Sequence, residues 1–127
     1  MKEIIFKAKC AVDNTWIYGI PARNRQKQLC LFVEENSSRW GFVPINYKTL
    51  CQFIGLYDSN GHKIYEHDII QFPSDDSRFP YKFEIVFDNE TLSYLFCSED
   101  GKYSYDEVIY LTKDFDNTVV VTGNKYD

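Results

Sequence analysis

Turn signals break this chain about every 8 to 12 residues, and that rhythm constrains the fold more than any other feature. Asp13-Asn14, the run EENSS at Glu34 to Ser38, DSNG at Asp58 to Gly61, DNE at Asp88 to Glu90 and EDGK at Glu99 to Lys102 each separate short runs with apolar centres. Nowhere does an apolar stripe of helical period persist for three turns. Strands are what remains. The aromatic content agrees: ten Tyr, ten Phe and two Trp make 17% of the 127 residues, and aromatic rings suit a pleated surface. The expected class is mainly β, a β-rich α+β fold at most, with antiparallel strands.

Individual strands follow from the runs. Lys2 to Lys9 and Thr15 to Ile20 read as an opening hairpin. Leu29 to Val33 and Arg39 to Ile45 come next. Asn46 to Leu56 fits a strand or a single helical turn. Lys63 to Phe72 splits into KIY and DIIQF. Tyr81 to Phe87 and Thr91 to Cys97 flank DNE as a second hairpin. Glu107 to Leu111 is a strand or one helical turn, and Thr118 to Val121 a last strand.

The net charge of −5 is unevenly spread. Residues 1–60 carry eight Lys/Arg against five Asp/Glu, and residues 61–127 carry six against fourteen. An acidic back half opposes wholesale binding of nucleic acid, while a basic front half leaves room for a local patch. The sign changes near Tyr57 to Gly61, which places an N-terminal β lobe at about 1–57 and a C-terminal lobe at about 58–127 of a single domain.

Four cysteines at 10, 30, 51 and 97 have no C-x-x-C spacing, so they read as reduced thiols in a cytoplasmic protein. The opening MKEIIFKAKC is too charged for a signal peptide, and no run of about 18 apolar residues suggests a membrane span.

Three sets of residues carry a family resemblance. Phe6, Lys7 and Ala8 precede Trp16, Tyr18 and Gly19. The stretch QFIGLYDSNGHKIYEHDII supplies Gln52, Phe53, Gly55, Leu56, Asp58, Asn60, Gly61, Ile64, Tyr65, Glu66, Asp68, Ile69 and Ile70. Gly123, Asn124, Tyr126 and Asp127 close the chain. Together they resemble the YopX-like family of small phage and prophage proteins. The resemblance implies a mainly β fold with an SH3-like barrel in the C-terminal part. It implies no reaction and no catalytic residue. His67 departs from it, standing where the family usually has Gly.

The central stretch reads as a structural turn. Asp58 can accept a backbone N–H two residues on, Asn60 tolerates the left-handed region, and Gly61 takes positive φ without cost. The family's Gly at 67 points to a left-handed backbone, which His adopts at a cost of about 1 kcal/mol. Asp68 would accept backbone N–H groups in an Asx turn beside Glu66 and His67.

Catalytic and metal chemistry finds little footing. His62 and His67 are the only histidines; their odd separation puts them on opposite faces of an extended segment, and no zinc spacing is present. They read as solvated turn residues. The pairs Asp75-Asp76 and Glu99-Asp100 fall in turn sequences. No nucleophile motif, P-loop or dinucleotide fingerprint occurs. No cofactor is expected.

The candidate binding patch is Arg23, Arg25 and Lys27, which would form one cationic stripe on an extended segment, with Arg39 and Trp40 as companions; the plainer reading of the same residues is a solvated loop. Two function classes stay open. One is a non-enzymatic protein-binding or regulatory module engaging a host or phage protein, or a second copy of itself. The other is a nucleic-acid-associated accessory protein using the basic loop. An enzyme with an unrecognised site ranks third, and no membrane role is expected.

Overall fold

A computed structural model describes residues 3–34, 40–71, 82–98, 104–105 and 119–127. Strands dominate, in two antiparallel sheets. The chain divides into two compact units, Met1–Phe53 and Ile54–Asp127.

The first unit holds β1 (Phe6–Lys9), β2 (Trp16–Arg23), β3 (Leu29–Val33), β4 (Gly41–Pro44), a 3-10 turn (Tyr47–Thr49) and the first residues of β5 (Cys51–Tyr57). Asn46 to Leu56, which fitted two forms, contains both. Asn46 accepts from the Lys48 N–H to start the turn, and Thr49 Oγ1 accepts from the Lys9 N–H at 2.8 Å. β2 serves two neighbours in succession. Its first half pairs with β1, from Phe6↔Gly19 to Lys9↔Trp16. Its second half pairs with β3, from Ile20↔Phe32 to Arg23↔Leu29. Gly19 sits at the handover, where a Cβ would lie 2.2 Å from the Phe32 carbonyl oxygen. Only glycine fits there. Alternation sends Ala8, Ile17, Leu31, Val33 and Val43 to one buried face.

The second unit contains the rest of β5, β6 (Lys63–Tyr65), β7 (Asp68–Gln71), β8 (Lys82–Asp88), β9 (Ser93–Ser98), β10 (Ser104–Tyr105) and β11 (Val120–Asn124). Five of these strands form a sheet in the order β10-β9-β8-β7-β11. Its core joins Ile70, Phe83, Ile85 and Phe96 of the sheet to Ile54 and Ile64 of β5 and β6, with Val119 fully buried. A bulge between Val121 and Gly123 shifts the register of β11 against β7.

The expected barrel does not close among the described residues. β10 and β11 remain the two edges of an open sheet. Closure needs an edge-to-edge ladder as well as tilted strands. The segment Glu107 to Leu111 lies outside the described residues, as do Asp75-Asp76 and Glu99-Asp100. Among the described residues no helix is long and apolar enough to cross a membrane.

Candidate functional site

The central motif builds a polar lock inside the second unit. Asp58 is 3% exposed. Its Oδ1 accepts from the backbone N–H of Asn60 (2.9 Å) and His62 (2.8 Å), and its Oδ2 from Val121 (3.1 Å). Burial pushes this carboxyl up. The backbone donors of Val121, His62 and Asn60, helped by the His62 ring, outweigh burial and hold its pKa below the usual carboxylate value. The turn also differs in one detail from the sequence reading: Gly61 alone takes positive φ (+81°), while Asn60 does not.

Asp68 is 1% exposed. Its Oδ2 accepts from the Tyr65 N–H (2.8 Å), and its Oδ1 from Asn124 Nδ2 (2.9 Å). The bond to Tyr65 runs back up the chain, not forward as an Asx turn would. Asn124 also donates to the Glu66 carbonyl (3.3 Å) and accepts from the Tyr126 N–H (2.9 Å). Asp127 Oδ2 accepts from the Asn124 N–H at 2.8 Å. The two acidic side chains are thus engaged by backbone and amide donors.

His67 takes φ +66°, the left-handed conformation that a Gly would take there. It sits in a turn, as read from the sequence, but its side chain is only 27% exposed and has partners. Its Nδ1 lies 2.8 Å from Glu84 Oε2, and its ring meets Tyr126 edge-on at 5.3 Å. Its backbone joins Ile85 and Lys125. His62, by contrast, has a side chain 72% exposed and 3.5 Å from Asp58. Among the described residues no three His, Cys, Asp or Glu side chains gather as a metal-binding group.

The cationic patch is arranged differently from the sequence reading. Residues 24–28 form the tight turn between β2 and β3. Asn24 organises it: Oδ1 accepts from the N–H of Gln26 (3.0 Å) and Gln28 (2.9 Å). Lys27 takes φ +62°. Alternation therefore does not align Arg23, Arg25 and Lys27, although all three are exposed. The Arg23 guanidinium turns back onto the Lys27 carbonyl at 2.8 Å. Trp40, 64% exposed, precedes β4 at the Val33 end of β3, and the turn adjoins the Leu29 end. Four residues of strand, about 13 Å, separate the two ends. Arg39 lies outside the described residues.

A feature that the sequence reading passed over is an apolar row on the first unit's outer face. Ile20, Phe32 and Phe42 are direct cross-strand partners on β2, β3 and β4. They are 55%, 47% and 53% exposed. The two Phe rings meet edge-on at 5.2 Å. Tyr18, two residues before Ile20, extends the row along β2. Beside it Trp16 carries two cations, Lys7 Nζ at 4.5 Å and Lys9 Nζ at 4.9 Å from the ring centroid. The signal was present as runs with apolar residues at both parities, TWIYGI, LCLFV and GFVPI. A strand with one wet face should alternate, and these do not.

A family model described as YopX protein matches residues 6–127. Comparison with curated proteins finds no match. Among solved structures, the crystal structure of protein EF1440 from Enterococcus faecalis matches with a TM-score of 0.58 at 16% identity. That match covers 99% of this chain and 95% of the other, and it speaks to the fold.

Proposed function

The chain belongs to the YopX protein family, and on that premise we propose that it is a non-enzymatic binding module whose partner is another protein. In this reading it is a phage or prophage product acting in the cytoplasm of a bacterial host. Its partner is a host or phage protein, and self-association is the case in which the partner is a second copy.

The observation that carries the reading is the exposed row Ile20, Phe32 and Phe42. Contiguous exposed apolar side chains, aromatic ones above all, mark protein contact surfaces. The non-enzymatic part rests on the central motif, whose carboxylates Asp58 and Asp68 are engaged in structural hydrogen bonds.

The test is capture from host lysate by the intact chain and by a Phe32→Ser, Phe42→Ser variant whose circular dichroism matches it. The reading expects one dominant protein that the variant loses. Equal capture by both chains overturns it.

A second reading has one observation in its favour. Three exposed cations lie within five residues, Arg23 at the end of β2 and Arg25 and Lys27 in the turn that follows. If they hold a phosphate backbone, replacing all three with Ala abolishes a salt-sensitive gel shift. Absence of any shift at low salt removes this alternative.

A further inference from the structure

Asn60-Gly61 is the one Asn-Gly pair in the chain. Both residues are exposed, in the turn between β5 and β6. Asparagine is a chemically labile residue. The backbone nitrogen of the residue after it can attack its side-chain amide carbon. A glycine in that following place has no side chain to obstruct the attack.

The folded turn works against this reaction. The Gly61 N–H donates to the Asp58 carbonyl at 3.0 Å, so the attacking nitrogen is engaged and keeps its proton. The Asn60 N–H donates to Asp58 Oδ1 at 2.9 Å. The Asp58 N–H donates to the His62 carbonyl at 2.8 Å and closes the turn around both. Asp58 is in turn tied to the end of the chain. Its Oδ2 accepts from the Val121 N–H, and the neighbouring Ser59 N–H donates to the Val119 carbonyl at 2.9 Å. The Gly61 nitrogen is freed when this turn opens locally, and that opening strains the seat of β11.

We propose that Asn60 is a self-modification site and that the bonds around Asp58 set its rate. Water and a solvent base are the only co-reactants. The base takes the Gly61 amide proton. The bond from Gly61 N to Asn60 Cγ forms, the Cγ–Nδ2 bond breaks, and ammonia leaves carrying a proton returned by the base. Water then opens the cyclic imide at one of its two C–N bonds. Cleavage on the Cγ side leaves an aspartate in place of Asn60. Cleavage on the backbone side leaves an iso-aspartyl linkage, with the main chain running through the former side chain and longer by one methylene. No atom is oxidised or reduced.

Either product sets a new carboxylate beside Asp58, which is 3% exposed. The iso-aspartyl product also lengthens a turn whose bonds span residues 58 to 62. The modification therefore loosens the turn that holds Val119 and Val121, and it accumulates in chains whose turn opens often.

The test incubates the full chain in mildly alkaline buffer, folded and in urea, and follows Asn60 by peptide mapping with mass spectrometry. Labelling with an isoaspartyl methyltransferase identifies the linkage. The proposal expects conversion in the folded chain to be at least about tenfold slower than in urea, the factor that one engaged hydrogen bond supplies. Asp58→Ala, with native circular dichroism, should convert about three- to tenfold faster than the unchanged folded chain. If that variant does not fold, the comparison of folded and urea-unfolded chain decides alone. Asn60→Asp supplies the charge without the longer main chain, so its urea midpoint should lie above that of the isolated iso-aspartyl product. Equal rates in the folded and unfolded chain, or conversion of another asparagine ahead of Asn60 in urea, overturn the proposal.

Discussion

Asn124 Nδ2 donates to Asp68 Oδ1 at 2.9 Å across 56 residues of sequence. That bond joins the central motif to the closing residues of the chain. Its partners are nearly inaccessible to water, at 7% and 1% exposure. Replacing Asn124 with Ala leaves a buried carboxylate oxygen without its amide donor. The expected loss of stability is about 1–3 kcal/mol, the cost of stranding a buried polar group. Urea unfolding measures it. An unchanged midpoint would show that the bond is not formed in solution.

His67 sets two effects against each other. Its left-handed backbone costs about 1–2 kcal/mol for a residue with a Cβ. Its ring gains Glu84 and Tyr126 in exchange, an aromatic contact alone being worth about 0.5–1.5 kcal/mol. His67→Gly removes both and should change stability by less than about 1 kcal/mol. His67→Ala keeps the strain and loses the contacts, so it should be the less stable of the two. Urea midpoints that rank Ala above Gly would contradict this account.

Asp58 predicts the acid limb of stability. Its folded pKa is depressed, so its contribution is present above the unfolded value of about 3.9 and disappears as pH falls through the folded one. Asp58→Asn should be less stable at neutral pH and should lose less on acidification. Melting temperatures from pH 7 down to 2 test this, and parallel curves would refute it.

Tyr94 predicts the alkaline limb. Burial, with the Glu66 charge, pushes its phenol up to about 12. The stability that it contributes is present below the unfolded value of about 10 and lost as pH rises through the folded one. An ultraviolet titration should show a late tyrosinate class that Tyr94→Phe deletes. A titration identical in the variant would reject the assignment.

Gly19→Ala tests the handover in β2. The new Cβ would meet backbone at 2.2 Å, where no flexible side chain can move aside. Overpacking of this kind costs about 1–3 kcal/mol. Thermal unfolding measures it, and a wild-type melting temperature would mean that β2 and β3 separate more easily than their register suggests.

What was legible in the sequence was local. Asp58, Asn60 and Gly61 lie within four residues of one another, so turn chemistry alone anticipates the bonds to Asn60 and His62. The strands from Leu29 and Lys82 were readable for the same reason: each is a short run between turn residues. Asp68 was not, because its decisive donor is far along the chain. The basic segment reads as a loop, but not as a turn tight enough to break the cationic stripe, because neither signal of such a turn is conspicuous. Asn24 closes it through one oxygen, and Lys27, not a glycine, takes the positive φ. The apolar row needed pairing as well as parity. Ile20, Phe32 and Phe42 become a surface only when the register of three strands brings them side by side.

The long reach of the polar lock also has a meaning in time. A ribosome delivers Asp58 63 residues before Val121, whose N–H it accepts, and Asp68 56 residues before Asn124. At about 5–20 residues per second, Asp58 waits roughly 3 to 13 seconds for that donor. The ladders joining β1 to β2, β3 to β4 and β1 to β5 all close within the first 53 residues. During synthesis the second unit therefore spends those seconds with both carboxylates lacking their distant donors and with Val119 missing from its core.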